Sequence, residues 1–515
     1  MKARNLLFVM CDQLRADHLS CYGHPRLATP NLDALAARGS RFANAFVQSG
    51  VCGPSRMSFY TGRYVASHGA TWNRVPLSLA EWTLGDYLRE AGRELALVGK
   101  THVMPDRRGL ARFGLDDADG LGALLARGSF VEKLRHDGHH AEPEAAYADW
   151  LRAQGYASAD PWTDYVIAVT DADGAAQSGW HMRHCRHPAR VAERHSETAY
   201  TTDRAIEFVR AQGERPWAMH LSYVKPHWPY IAPAPYHATY GDDDALPLAR
   251  RDAELVDQHP VLAAYRRQEE CANFMREEVA RHVRPAYMGL VKQIDDHLGR
   301  LWRALDEQGR WDDTLVVFTS DHGDYLGDHW LGEKEHFHDT VQRVPLIVAA
   351  PGGARGRIVD DIVEAIDVVP TALESLGLDP AAHRVEGRSL VPWLAGATPP
   401  QWREAAFSEL DWSYRGARLA LGFAPDRCHA WMVRTREWKY VHWLDAPPQL
   451  FDLANDPGEY DDRGRDPALE RVRAEMRERL LAWFAQRKRR TTVTLADVEA
   501  GTGAYKRAGV FFGQW

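Results

Sequence analysis

With 515 residues, 45% of them hydrophobic and 26% charged, the chain is long enough for one large domain plus a smaller one and is neither disordered nor fibrous. Its net charge of -8 argues against a nucleic-acid partner, which favours a basic face, and no stretch approaches the roughly 18 apolar residues of a membrane span. Six cysteines lie far apart without CxxC pairs, so reduced thiols and a cytoplasmic home are expected rather than a disulfide framework.

In chain order, the apolar run Leu6 to Met10 is too short for a secretory core and reads as a first strand before Asp12. A helix follows over Thr29 to Arg38, opened by Thr-Pro and stopped by Gly39, and another over Leu79 to Ala91, stopped by Gly92. Leu95 to Val98 makes a strand before Lys100, and Met219 to Val224 one before His227. Ala286 to Gln308 carries Leu290, Val291, Ile294, Leu298, Leu301, Trp302 and Leu305 at helical spacing, a stripe to pack on a sheet. Asp295 and Asp296 then fall on its wet face. Leu315 to Phe318 completes the series as a strand before Asp321. Strands alternating with helices predict an α/β architecture. In open parallel α/β sheets, side chains just beyond the carboxyl ends of strands converge on one crevice, so Asp12, Lys100, His227 and Asp321 are expected to share a site.

From about residue 390 the texture changes to short tryptophan-rich runs, Ala430 to Val433 and Trp438 to Trp443, then a charged helix near Pro467 to Arg487. This predicts a smaller α+β domain and divides the chain into 1–388 and 389–515. The tail Thr491 to Trp515, with Val510-Phe511-Phe512, is too apolar for a free terminus and is expected to dock on another subunit or on its own chain. His181, His184, Cys185 and His187 are irregularly spaced and read as a solvated loop rather than a metal site.

The sharpest local signal is Gly50-Val51-Cys52-Gly53-Pro54-Ser55-Arg56, continuing to Thr61-Gly62-Arg63. Asp12 and the run Asp321-His322-Gly323 add carboxylates and an imidazole at strand ends, a set that suits a hard or borderline cation. Singly, such a cysteine is equally a buried thiol before a turn, and such an aspartate a helix cap. Their conjunction carries the weight.

The Cys52 segment resembles the CxPxR sequence of sulfatases, and the metal segments resemble those of the alkaline phosphatase superfamily. In that family the cysteine is converted to formylglycine by a formylglycine-generating enzyme. The hydrated aldehyde attacks sulfur or phosphorus with one hydroxyl and expels the product with the other, so no water attack on the ester is needed. The resemblance implies an alkaline-phosphatase-like, mostly parallel mixed sheet flanked by helices. It also implies one divalent ion, Ca2+ or Mn2+, held by Asp12, Gln13, Cys52, Asp321 and His322. Gln13 stands where many sulfatases have a second aspartate and His322 where many have asparagine.

Gly92 to His102, GRELALVGKTH, resembles a second sulfatase signature, with Lys100 as a point charge for the anionic ester and His102 as a proton acceptor. Lys225-Pro226-His227-Trp228-Pro229-Tyr230 resembles the proline-flanked histidine that touches the transferred group, and Arg56 is expected to anchor the formylglycine hydrate and pair with nearby carboxylates. Asn73 and Lys334 stand at spacings that resemble phosphonate monoester hydrolases and are expected to bind ester oxygens. Where those hydrolases carry tyrosine and threonine, this chain has Lys100 and His102, the sulfatase choice. The expected activity is therefore sulfate monoester hydrolysis, with phosphodiester and phosphonate monoester hydrolysis as a promiscuous or alternative role, in a homodimer or homotetramer. A non-enzymatic metal- or anion-binding homologue, with Cys52 unmodified, is the competing class.

Overall fold

The structure, a computed structural model, describes residues 2–138 and 145–509. The apolar end of the tail, Val510-Phe511-Phe512, lies outside the described residues.

The strands are β1 (Asn5–Asp12), β2 (Ser40–Phe46), β3 (Leu95–Gly99), β4 (Phe130–Arg135), a hairpin of β5 (Ala168–Thr170) and β6 (Ala176–Ser178), β7 (Ala218–Pro226), β8 (Thr314–Ser320), β9 (Arg343–Ala349) and β10 (Arg357–Glu364). Outside the hairpin they form one eight-stranded sheet in the order β10-β2-β9-β8-β1-β7-β3-β4, in which only β9 runs against its neighbours. The main helices are α1 (Pro30–Arg38), α2 (Cys52–Thr61), α3 (Leu84–Glu90), α4 (Glu197–Gln212), α5 (Glu277–Glu307) and α6 (Val368–Ser375).

Strand alternation sorts the core into two layers. Leu7, Val9 and Cys11 of β1 pack with Ile206 of α4 and with Leu290, Leu298 and Leu301 of α5. Leu6, Phe8 and Met10 face the other way, against Phe59 of α2, Leu88 of α3 and Leu373 of α6. β1 is buried along its whole length, which is why it reads as an unbroken apolar run.

Three sequence expectations shift. The second helix starts at Leu84 rather than Leu79, because Thr83 and Asp86 form a capping box there. α5 begins at Glu277 and passes through Pro285, where the sequence pattern starts only at Ala286. A proline inside a helix costs about 3 kcal/mol. Burying Ala280 and Val283 on the same turns offsets much of that cost, at about 1.5–3 kcal/mol for a full apolar side chain. Asp295 is not on a wet face. It is fully buried and accepts the Asn31 and Leu32 backbone N–H groups at 3.1 and 2.9 Å, capping α1 from the neighbouring helix.

Beyond the large sheet, β11 (Ala406–Asp411), β12 (His429–Arg434), β13 (Trp438–Trp443) and β14 (Gln449–Asp452) form an antiparallel sheet. Helix α7 (Glu470–Ala485) covers one face with Met476, Leu480 and Trp483 over Val433, Tyr440 and Leu450. The opposite face, with Met432, Val441 and Trp443, shares a core with Val51, Trp72, Tyr325 and Leu331. That core lies directly behind the Cys52 segment. No helix among the described residues is long and apolar enough to cross a membrane.

Candidate active site

The neighbouring strands β8, β1, β7 and β3 deliver Asp321, Asp12, His227 and Lys100 at or just past their carboxyl ends. Gly99 sets the close approach: its φ is 110°, and a Cβ there would lie 1.9 Å from the Ser222 carbonyl oxygen. Cys52 opens α2, all ten residues of which are buried, so the sulfur faces the crevice from a helix N-terminus. That end of a helix favours negative charge. Asn73 accepts the Gly53 N–H at 2.7 Å and so satisfies one of the donors that the helix start leaves open.

Arg56, one turn into α2 and fully buried, ties the two carboxylates together. Its Nε donates to Asp321 Oδ2 at 2.7 Å, and its guanidinium pairs with Asp12 Oδ2 at 3.3 Å. Lys100 Nζ takes the same Asp12 oxygen at 2.5 Å. With the Oδ2 atoms held by cations, the Oδ1 atoms turn inward. Asp12 Oδ1 lies 3.8 Å from Cys52 Sγ and from His322 Nε2, and Asp321 Oδ1 lies 3.6 Å from the same nitrogen. His322 donates Nδ1–H to the Gly323 carbonyl at 2.8 Å; a carbonyl only accepts, so Nε2 is left towards Cys52 Sγ at 3.1 Å.

Asp12, Cys52, Asp321 and His322 thus present four donor atoms within 4.8 Å of one another, all buried. Hard oxygens, one imidazole and one sulfur at this spacing fit a single divalent cation. Gln13, with φ 67°, accepts from Lys334 Nζ through Oε1 at 3.0 Å and donates Nε2–H to Asp324 at 2.5 Å. Lysine only donates, so the amide orientation is fixed, with its oxygen on Lys334.

Lys334 reaches the sulfur from the opposite side, its Nζ 3.2 Å from Cys52 Sγ and 2.9 Å from His227 Nε2. His227 donates Nδ1–H to the Trp228 carbonyl at 2.7 Å, which leaves Nε2 as the acceptor. Burial and Asp12 push the Cys52 thiol up, but Lys334, His322 and Lys100 outweigh them and hold it below its ordinary value. Burial likewise works against the Asp12 carboxylate, and Lys100, Arg56 and Lys334 together hold it well below the usual range. His102 lies two residues beyond Lys100, with φ 59°, and Asp137 accepts from the Thr101 and His102 backbone N–H groups at 3.0 and 3.4 Å. The Trp228 ring stands 4.9 Å from that of His227, and half-exposed Trp180 meets Trp228 edge-on at 5.4 Å.

The expected residues Asp12, Gln13, Cys52, Arg56, Lys100, His227, Asp321, His322 and Lys334 are joined by these contacts, with Asn73 and His102 at the margin. Sequence reasoning passed over Asp324, Tyr230 and Asp137. Tyr230 donates to Asp324 at 2.7 Å, and the pair orients Gln13. Asp324 was visible as the second aspartate of Asp321-His322-Gly323-Asp324, whereas Asp137 had no local signal.

A helix start that presents a buried cysteine among paired carboxylates, imidazoles and two lysines makes a pocket suited to an anionic ester, the kind of site an ester hydrolase uses. The chain belongs to the sulfatase family, whose profile matches residues 4–378; the N-sulphoglucosamine sulphohydrolase C-terminal profile matches residues 327–486. It is 33% identical to the multifunctional alkaline phosphatase superfamily protein PehA of Trinickia caryophylli, over 95% of this chain and 97% of that one. It is 30% identical to the choline-sulfatase of Rhizobium meliloti, over 90% and 83% of the two chains. Among solved structures, the phosphonate monoester hydrolase of Agrobacterium radiobacter superposes with TM-score 0.82 at 32% identity, covering 94% of this chain and 96% of that one. SpPMH from Silicibacter pomeroyi, also a phosphonate monoester hydrolase, gives 0.84 at 31% identity, covering 95% and 96%. The protein is a hydrolase of the sulfatase and phosphonate monoester hydrolase group within the alkaline phosphatase superfamily.

Proposed function

We propose that the protein hydrolyses sulfate monoesters with formylglycine made from Cys52 as nucleophile, and phosphodiesters and phosphonate monoesters as secondary substrates. The observation that carries this reading is the set around Cys52 Sγ: Lys334 Nζ at 3.2 Å, His322 Nε2 at 3.1 Å and Asp12 Oδ1 at 3.8 Å. A divalent ion, Ca2+ or Mn2+, would be held by Asp12, Asp321, His322 and the residue 52 side chain, with Gln13 beside it, and would polarise an ester oxygen. Formylglycine would supply a nucleophile whose covalent ester has its own exit.

The remaining work falls to the chain's own side chains. Arg56 and Lys100 keep Asp12 ionised, and Arg56 orients Asp321. Lys334 and His227 face the nucleophile from the other side, where they would bind the remaining ester oxygens with Asn73. His102, two residues beyond Lys100, is placed to take the proton of the nucleophile's second hydroxyl. Lys100 and His102 add positive character that suits a singly charged sulfate ester. Trp228 and Trp180 at the His227 edge favour an aryl leaving group.

A dedicated phosphonate monoester hydrolase is the second reading, supported by TM-scores of 0.82 and 0.84 to two such enzymes. Comparing kcat/KM on aryl sulfate, phosphate diester and phosphonate monoester, with intact-peptide mass proving formylglycine at position 52, decides between them. A pure cysteine mass in active protein would remove the nucleophile assignment. A formylglycine-generating enzyme is the implied partner. Six free cysteines support a reducing, cytoplasmic setting, and sedimentation tests the expected homodimer or homotetramer.

A further inference from the structure

Lys334 reaches the nucleophile from a strained segment. Leu326, His329, Trp330, Glu333 and Glu335 all have φ between 47° and 99°, a left-handed region that residues with a Cβ avoid. Glu333 (φ 57°) and Glu335 (φ 99°) flank the lysine on both sides. Such backbone persists only where surrounding contacts over-determine it. Beside the lysine, the side-chain contacts of both glutamates converge on one residue. Arg415 donates Nε–H to Glu335 Oε2 at 2.9 Å, pairs through its terminal nitrogen with the other Glu335 oxygen, and reaches Glu333 Oε2 at 3.5 Å. Its remaining nitrogen donates to Glu270 at 3.0 Å, and the guanidinium lies over the Trp72 ring at 5.5 Å. Arg415 follows β11, the first strand of the antiparallel sheet, so this grip comes from the carboxy-terminal part of the chain.

We propose that Arg415 is a positioning residue that holds the Lys334 ammonium at the nucleophile by engaging both carboxylates beside it. The inference rests on reading Lys334 as the cation that binds ester oxygens. Two effects act together. The guanidinium fork fixes the plane of the buried Glu335 carboxylate, which an ammonium could not do, and with it the backbone turn that aims Lys334. The same guanidinium occupies two carboxylates that would otherwise draw the Lys334 ammonium away from Cys52.

The test compares Lys334→Ala, Arg415→Ala, Arg415→Lys and the triple variant Arg415→Ala/Glu333→Gln/Glu335→Gln, each checked for metal content and melting temperature. Arg415→Ala is expected to lower kcat/KM by about tenfold or more, and Arg415→Lys by less, because an ammonium still occupies the carboxylates without fixing their plane. The triple variant should regain the part of the loss that comes from two free carboxylates competing for Lys334. A purely structural role predicts the reverse, since more contacts are gone. In a Cys52→Ala background, calorimetry with 4-nitrophenyl sulfate should show weaker binding with Arg415→Ala and recovery in the triple variant. Impairment by Lys334→Ala but not by Arg415→Ala, or no recovery in the triple variant, overturns the clamp. Full activity in Lys334→Ala overturns the reading beneath it as well.

Discussion

Asp12 and the pair Asp295 and Glu409 are all deeply buried carboxylates, yet the chain treats them in opposite ways. Asp12 is packed among Lys100, Arg56 and Lys334 and stays ionised well below the usual range. Asp295 is bound by the N–H groups of Asn31 and Leu32, and Glu409 by the Ala66 backbone N–H at 2.8 Å and the Trp431 indole at 3.2 Å. Those donors are neutral, and burial pushes Asp295 up to about 6 and Glu409 up to about 7. Burial alone therefore does not keep a carboxylate ionised. Cations gathered around it do, at Asp12 as at Asp328, which pairs with Arg15 and Arg284.

The comparison breaks most visibly at the centre of the cation cluster. Cys52→Ala should lower turnover by more than about a hundredfold with the melting temperature nearly unchanged, since the pocket is otherwise formed. Residual activity above about a hundredth of wild type would mean that another group attacks.

Asp12→Ala or Asp321→Ala comes next, with metal content and activity expected to fall together because each carboxylate offsets cation charge in one shell. Elemental analysis finding full occupancy in both variants would contradict that. Unlike a change at an exposed pair, it should also destabilise, by about 3–5 kcal/mol, through the buried Arg56 left short of a partner.

The double change Lys100→Tyr with His102→Thr sharpens the contrast without dismantling the site. It should reduce sulfatase kcat/KM more than phosphodiesterase kcat/KM, shifting the ratio by about tenfold, or about 1.4 kcal/mol. An unchanged ratio would leave the preference for sulfate without support.

Glu409 gives a pure stability effect. Below its ordinary value of 4.5, both folded and unfolded forms are protonated and its contribution is fully present. As pH rises towards about 7 the unfolded carboxyl ionises first, so stability is lost by about 3 kcal/mol in all. Urea titrations from pH 4 to 8 should show this fall in wild type and a flatter curve in Glu409→Gln. Asp295→Asn should act in the same sense over a narrower window ending near 6. A difference between wild type and either variant that stays constant with pH would refute the assignment.

How much of this was legible follows the same division. Leu6 to Met10, Leu95 to Val98, Met219 to Val224 and Leu315 to Phe318 were readable because central parallel strands are buried on both faces, and they turn out to be immediate neighbours in the sheet. The residues at their ends were readable because strand ends deliver side chains to one edge. Asp295 was misread because helical spacing places a residue relative to its own helix, and cannot show that α1 begins against that face. Asp137 and Arg415 were invisible for a related reason. Their partners, Thr101 and Glu335, lie 36 and 80 residues away in sequence.

The position of β1 at the middle of its sheet has a consequence for how the chain comes into being. Its two partners, β7 and β8, begin at Ala218 and Thr314. At about 5–20 residues per second, β8 leaves the ribosome roughly 15–60 s after β1. Until β7 follows, about two hundred residues after β1, that apolar run has no edge to join, and loop closure over about three hundred residues must precede pairing with β8 on its other edge. β1 thus waits longer than β7 or β8 to be paired on both sides, which makes it a segment in need of shielding during translation.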